Sequence, residues 1–221
     1  MKKTVFTFVI FLSLSAWSKA DNKMTEKRSA QEVRNDLAFT CVHENSALPK
    51  IPDDSEKLFE YGFFLARQGG DKKQVARLYR IASAYGNYKA NHNLQILVST
   101  GEVPSPNAAG ESVELAQQLI DAKIPIGYYD MAGYLLQGYG VKQDSDLARR
   151  YMRKAAGLGN PDAQGYVADL LAPMDAAPEI ARQMRPCAAD QGNGHAANRL
   201  GFDLKRISYI ETRLLHFKKQ S

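Results

Sequence analysis

Four histidines, two cysteines and a few paired carboxylates are the residues of this 221-residue chain that could do chemistry. His43, His92, His195 and His216 form no His-Glu-x-x-His arrangement, and His43-Glu44 has no second histidine in range. They read as surface or capping histidines. Asp53-Asp54 and Asp144 with Asp146 stand where helices are expected to begin. Negative charge suits the helix dipole there, so they read as caps. No Gly-x-Ser-x-Gly elbow is present, which disfavours a serine hydrolase. Gly138-x-Gly140 has no strand before it, so it does not read as a phosphate loop. The expectation is a protein that is not an enzyme, with no catalytic residues, no metal and no cofactor.

The cysteines carry a different chemistry. Cys41 and Cys187 are an even pair, and in an oxidising compartment such a pair reads as a disulfide. The start of the chain points to that compartment. Met1-Lys2-Lys3 is basic, Thr4 to Trp17 is apolar or small, and Ser18-Lys19-Ala20 presents small residues where signal peptidase reads. That three-part plan is a secretory signal peptide over residues 1–20, cleaved after Ala20. The apolar run falls short of the roughly 20 residues that span a bilayer. No cysteine follows it to carry a lipid, and the expected location is the periplasm.

Composition sets wider limits. Hydrophobic residues make up 44% of the chain and charged residues 24%, which excludes wholesale disorder and a polytopic membrane protein. The net charge of +5, from 29 basic and 24 acidic residues, invites a nucleic-acid reading, but its distribution argues against one. Lys2, Lys3 and Lys19 leave with the signal, and residues 205–221 hold five basic residues against Glu211. Residues 21–204 then carry 21 basic and 23 acidic residues, a slightly acidic body with interspersed charges. No nucleic acid is expected as a partner, and no membrane insertion after signal cleavage.

The elements that must position these residues come from repetition. Ala155-Ala156, Gly159-Asn160 and Ala163 recur at one fixed offset as Ala188-Ala189, Gly192-Asn193 and Ala196. Gly86-Asn87 and Ala90 repeat the spacing of Gly159-Asn160 and Ala163 earlier in the chain, and a weaker copy lies over 115–127. A period of roughly 33–37 residues marks a helical solenoid. Each glycine ends a helix, Asn160 caps the next, and Pro161 suits its first turn. Leu147, Tyr151, Met152 and Ala155 share one helical face, and no long run alternates with period two. The expected helices are 55–67, 72–85, 88–99, 111–122, 126–137, 144–157, 161–171, 177–190 and 194–206. Pro186 is expected to kink the eighth or shift its start.

Residues 127–163 resemble the Sel-one-like repeat, a relative of the tetratricopeptide repeat. They carry the Gly138-x-Gly140-Val141 turn, Asp144 three residues on, and the helix end Lys154-Ala155-Ala156 with Gly159. The copies at 58–90, 91–127 and 164–196 keep parts of the pattern. The resemblance covers roughly 55–204. It implies an all-α, right-handed superhelix of about four antiparallel helix pairs that binds proteins and has no enzymatic activity. The organisation is then a signal over 1–20, an N-terminal arm over 21–54, repeats over 55–204, and a basic tail or capping helix over 205–221. Phe39-Thr-Cys-Val-His-Glu44, Arg77-Leu-Tyr-Arg-Ile-Ala82 and Asn91-His-Asn-Leu94 look like a narrower group. These are secreted bacterial Sel-one-like proteins encoded beside type VI secretion phospholipase effectors, thought to be immunity proteins. The resemblance implies a secreted lipase effector as partner. The alternative is a periplasmic scaffold that assembles an envelope complex.

In such a fold the first helix of each pair lines the inner side. Gly127, Met131, Ala132 and Leu135 match core positions, leaving Tyr128, Asp130, Tyr134 and Gln137 toward the groove. Glu60, Phe64 and Arg67 correspond in the first pair, and Asn91 and Gln95 in the second. These nine are the expected partner-binding residues, with charge reversal at Arg67 or truncation of Tyr134 expected to weaken binding. Packing of the aromatics against neighbouring helices is the competing reading. A Cys41–Cys187 bridge would have to span four repeats, which a straight solenoid forbids. A curled solenoid, or an arm running along it, would permit it.

Overall fold

The Gly-Asn turns close one helix and open the next in the same way each time. Gly86, Gly159 and Gly192 take φ values of +83, +100 and +89. The asparagine that follows then accepts a backbone N–H three residues on: Asn87 from Ala90 at 2.9 Å, Asn160 from Ala163 at 2.8 Å, Asn193 from Ala196 at 2.7 Å. One side chain thus satisfies a helix-start donor that has no partner within the helix. Asp71, Asn107 and Asp144 cap three further helices by the same chemistry.

A computed structural model describes residues 38–46, 48–171 and 178–218. The expected signal peptide and most of the expected arm lie outside these residues. The described residues from Phe39 onward form one compact unit. Among the described residues there are nine α-helices and no strand. These are α1 (Asp53–Arg67), α2 (Lys72–Ala84), α3 (Tyr88–Ser99), α4 (Ala108–Asp121), α5 (Pro125–Gln137), α6 (Ser145–Gly157), α7 (Pro161–Leu171), α8 (Pro178–Asp190) and α9 (Gly194–Lys218), preceded by a 3-10 turn at Glu44–Ser46. Each helix packs on the next, giving a right-handed α-solenoid of four antiparallel pairs followed by α9. No helix among the described residues is long and apolar enough to cross a membrane.

Small residues let the helices approach. Ala82, Ala90, Ala116, Ala132, Ala155, Ala156, Ala163 and Ala168 have no accessible surface. A Cβ on Gly127 would lie 2.5 Å from Leu119 Cβ, so the α4–α5 crossing requires glycine there. Met131, Ala132 and Leu135 are buried on α5, as their spacing suggests.

Two helices differ from the sequence expectation by three residues or more. The fourth begins at Ala108 rather than 111, because Asn107 caps it through the Gly110 N–H at 3.1 Å. The ninth continues past 206 to Lys218, so residues 205–218 are its C-terminal half. α8 continues as helix on both sides of Pro186 and starts at Pro178, one residue later than expected. Pro186 and Arg182 both face solvent, so the carbonyl that loses its helical partner is open to water.

Candidate functional site

The N-terminal arm brings the two cysteines together. Cys41 and Cys187 are bonded, with Cα atoms 5.7 Å apart, across a sequence separation of 146 residues. Side-chain amides fix the chain beside the bridge. Gln164, fully buried, donates to the Val42 carbonyl at 3.0 Å. Gln191 accepts the Glu44 N–H at 2.7 Å and donates to Val42 O at 3.4 Å, pairing with a donor and an acceptor of the arm's main chain. Asn160 reaches Glu44 Oε1 at 3.4 Å. A Cβ on Gly159 would stand 2.7 Å from the Glu44 nitrogen, so the arm crosses the α6–α7 turn only because that residue is glycine.

From Glu44 at the α6–α7 turn the chain passes Leu48, which shares a cleft with Phe59 and Phe63 of α1, and reaches Pro52 just before α1. The arm therefore runs along the solenoid from the fourth pair to the first, which resolves the geometric objection to the bridge. Cys41, His43 and Cys187 place one ligand atom each within 4.8 Å of one another, but the two sulfurs are bonded to each other and leave only the ring nitrogen. His43 instead faces Asp190 at 3.3 Å.

A cleft of about 410 Å³ opens between the arm and the first helices. Glu44 and Leu48 line it from the arm, Phe59 and Phe63 from α1, Tyr88 and His92 from α3, and Ile126 from α5. Burial pushes the Glu44 carboxyl up, and nearby Asp162 and Asp130 add to the rise against the pull of Asn160 and His92. Lys89 bonds Glu56 at 2.7 Å, which pushes its ammonium pKa up, and its Nζ lies 5.8 Å from the centre of the Phe59 ring.

The expected binding residues divide into two groups. Glu60, Phe64 and Arg67 are exposed on one stripe of α1. Tyr61 and Phe64 expose 52% and 57% of their surface, and the Arg67 guanidinium lies 5.9 Å from the centre of the Phe63 ring. Gln137 is exposed at the end of α5. The others face inward. Asn91 and Gln95 are buried, which corrects their placement in the groove. Asn91 donates to Gln118 at 2.9 Å, and Gln95 donates to the Tyr134 hydroxyl at 2.9 Å. Tyr134 is half-buried, and its ring lies 5.2 Å from that of Tyr139. Its truncation would break an internal contact as well as any external one. Tyr128 leans on Tyr151, with ring centres 6.0 Å apart, and donates to Ile120 O at 3.4 Å. Asp130 faces His92 at 3.4 Å.

A cluster not foreseen in the sequence holds α9. Asp169 on α7 meets Arg185 at 2.9 Å, His195 at 2.7 Å and Arg199 at 3.7 Å, and Arg185 also pairs with Asp203. Burial works against ionisation of Asp169, but the hydrogen bonds from His195 and Arg185 and the charges of Arg185 and Arg199 outweigh it and hold the carboxyl below its usual range. The signal was the polar spacing Arg185, Arg199 and Asp203 on helices that pack together.

No protein-family model and no curated protein matches the chain. Solved structures do. The chain is similar to immunity protein PA5088 from Pseudomonas aeruginosa, with 28% identity over 74% of this chain and 62% of that one, and a TM-score of 0.61. It is similar to immunity protein Pa5087 from the same organism, with 28% identity over 74% and 63% and a TM-score of 0.61. A Sel1 repeat protein from Oxalobacter formigenes is 22% identical over 66% and 62%, with a TM-score of 0.55. The chain thus spans less than two thirds of the length of these structures. Its fold is that of the Sel-one-like repeat proteins.

Proposed function

We propose that this protein is a periplasmic immunity protein. It binds a cognate effector of a type VI secretion system, a phospholipase or other lipase, and neutralises it by protein–protein contact rather than by catalysis. The observation that carries this reading is the likeness to immunity proteins over three quarters of the chain. The disulfide suits an oxidising compartment, and the basic–apolar–small start suits export to it. The binding face is the exposed aromatic stripe of α1, with Phe64 and Arg67 as anchors, continued by the cleft beside the arm. Aromatic and arginine side chains are the residue types that dominate interface energies. The test is competition between sister cells. A strain lacking this gene should be killed by its effector-bearing parent and rescued by the gene in trans. Survival of the mutant beside an active parent would remove the reading.

A further inference from the structure

The last helix outruns the helices that support it. α9 has 25 residues, against 11 in α7 and 13 in α8. At 1.5 Å per residue it is about 18 Å longer than α8. Its first turns are seated: Ala196 is 1% exposed, and Asp203 pairs with Arg185 of α8. From Leu204 to Glu211 every residue is exposed. The repeat shows what has changed. Leu171 ends α7 and is 6% exposed, whereas Leu204, at the same offset that carries Gly159 to Gly192, is 58% exposed.

The exposed half has two sides. At 3.6 residues per turn, Leu204, Ile207 and Ile210 fall within an arc of about 120°, on the side of the helix that seats Ala196. Ile207 and Ile210 expose 49% and 48% of their surface. Lys205 falls on the opposite side and Arg206 at the border of the arc. Both are exposed, and neither has an ion pair among the described residues. At the seated end, by contrast, Arg185 and Arg199 both meet Asp169. Over 205–221 the sequence sets five basic residues against Glu211 alone.

An apolar arc on one projecting helix has no groove walls of its own. A folded partner would have to supply the whole groove, whereas a bilayer interface closes around the helix. There the apolar side sinks to the acyl boundary, and the long basic side chains extend to lipid phosphates. The excess of positive charge selects anionic lipid. We propose that the C-terminal half of α9 is an interfacial anchor that lays the protein on an anionic phospholipid surface. It lies on the bilayer and does not span it, since no described helix is long and apolar enough to cross. As a place for an inhibitor of a lipase, which acts at a lipid surface, the anchor rests on the proposed function. As a lipid contact it stands on α9 alone.

The test is co-flotation of the full, disulfide-bonded chain with vesicles of phosphatidylglycerol and phosphatidylethanolamine, and with vesicles of neutral phosphatidylcholine. Native and variant chains carry the same N-terminus, so their comparison isolates α9. The native chain should bind the anionic vesicles on the order of tenfold more tightly than the neutral ones, and salt should weaken that preference. Ile207→Ser with Ile210→Ser should lower binding about tenfold or more, with Tm near native because both residues face solvent. Lys205→Gln with Arg206→Gln should remove most of the anionic preference. Equal vesicle binding by the native and isoleucine variants would overturn the anchor. So would a native chain that ignores vesicles but forms a dimer, or holds a protein partner, through the same two isoleucines. No effector is needed for the vesicle result, so its failure would leave the immunity reading standing. Survival of the deletion strain in competition would remove the immunity role without touching vesicle binding.

Discussion

The first and fourth helix pairs are copies of one plan, one left open to solvent and the other closed. The fourth is closed: the arm lies over it, a disulfide staples it, and the Arg185–Asp169 cluster ties it to α9. The first is open: Tyr61, Phe63 and Phe64 face solvent on α1, with Arg67 beside them. The Gly-Asn turn shows the same divergence. Asn87 donates to Ser55 O at 3.1 Å and to Glu56 Oε2 at 2.8 Å on the preceding first helix of its own stack, whereas Asn160 turns the same donor to the arm. A repeat position thus keeps its chemistry and changes its partner, so one end is tied down while the proposed binding end stays open to solvent.

Breaking the closed end should cost the most. Cys41→Ser removes a crosslink across 146 residues, which the chain-entropy model values at about 5 kcal/mol. Thermal unfolding should show a large fall in Tm, matched by the native chain under reduction. Truncating Arg185 to alanine comes next. Its side chain is only 7% exposed between two carboxylates, so losing it leaves charge poorly compensated, with a cost of about 3 kcal/mol by denaturant titration. The open end should respond in the opposite manner. Phe64→Ala with Arg67→Glu should change stability little, because both face solvent, yet weaken effector binding by about 2 kcal/mol or more.

The smallest effect concerns pH. Glu44 has its carboxyl raised by burial above the ordinary 4.5, so arm docking is favoured below that value and weakens as pH rises through the raised one. Asp169 runs the other way: its contribution is present above the ordinary aspartate range and is lost as pH falls through its lowered value. Glu44→Gln should therefore raise Tm slightly at pH 7, and the difference from the native chain should vanish toward pH 4. A Tm difference that grows on acidification would contradict this sign.

Much of the fold was legible because its punctuation repeats. Gly138-x-Gly140-Val141, the Gly-Asn turns and the alanine pairs placed most helix ends within two or three residues. The length of α9 was not legible, since nothing in Ile207 to Lys218 breaks a helix and nothing in a local pattern marks where it stops. The exposure of the expected binding residues was legible only in part. Glu60, Phe64 and Arg67 lie on an exposed stripe, but Asn91 and Gln95 share the polar character of groove residues while sitting in the interior. A signal was present: a polar amide recurs at the same repeat position as Asn91 and Gln164, and a polar residue kept at one repeat offset points to an internal network. The route of the arm, which unites Cys41 with Cys187, is a long-range property that spacing alone left open between a curled solenoid and a strap.

One binding measurement tests the open end as the binding face most directly. Once the effector that kills the deletion strain is in hand, its affinity should be measured by calorimetry for the native chain, for Phe64→Ala with Arg67→Glu, and for Cys41→Ser held well below its Tm. Binding that falls at least tenfold in the first-pair variant and stays near native in the disulfide variant is the expected result. Native affinity in the first-pair variant, or loss confined to the disulfide variant, would contradict the assignment of the open end as the binding face.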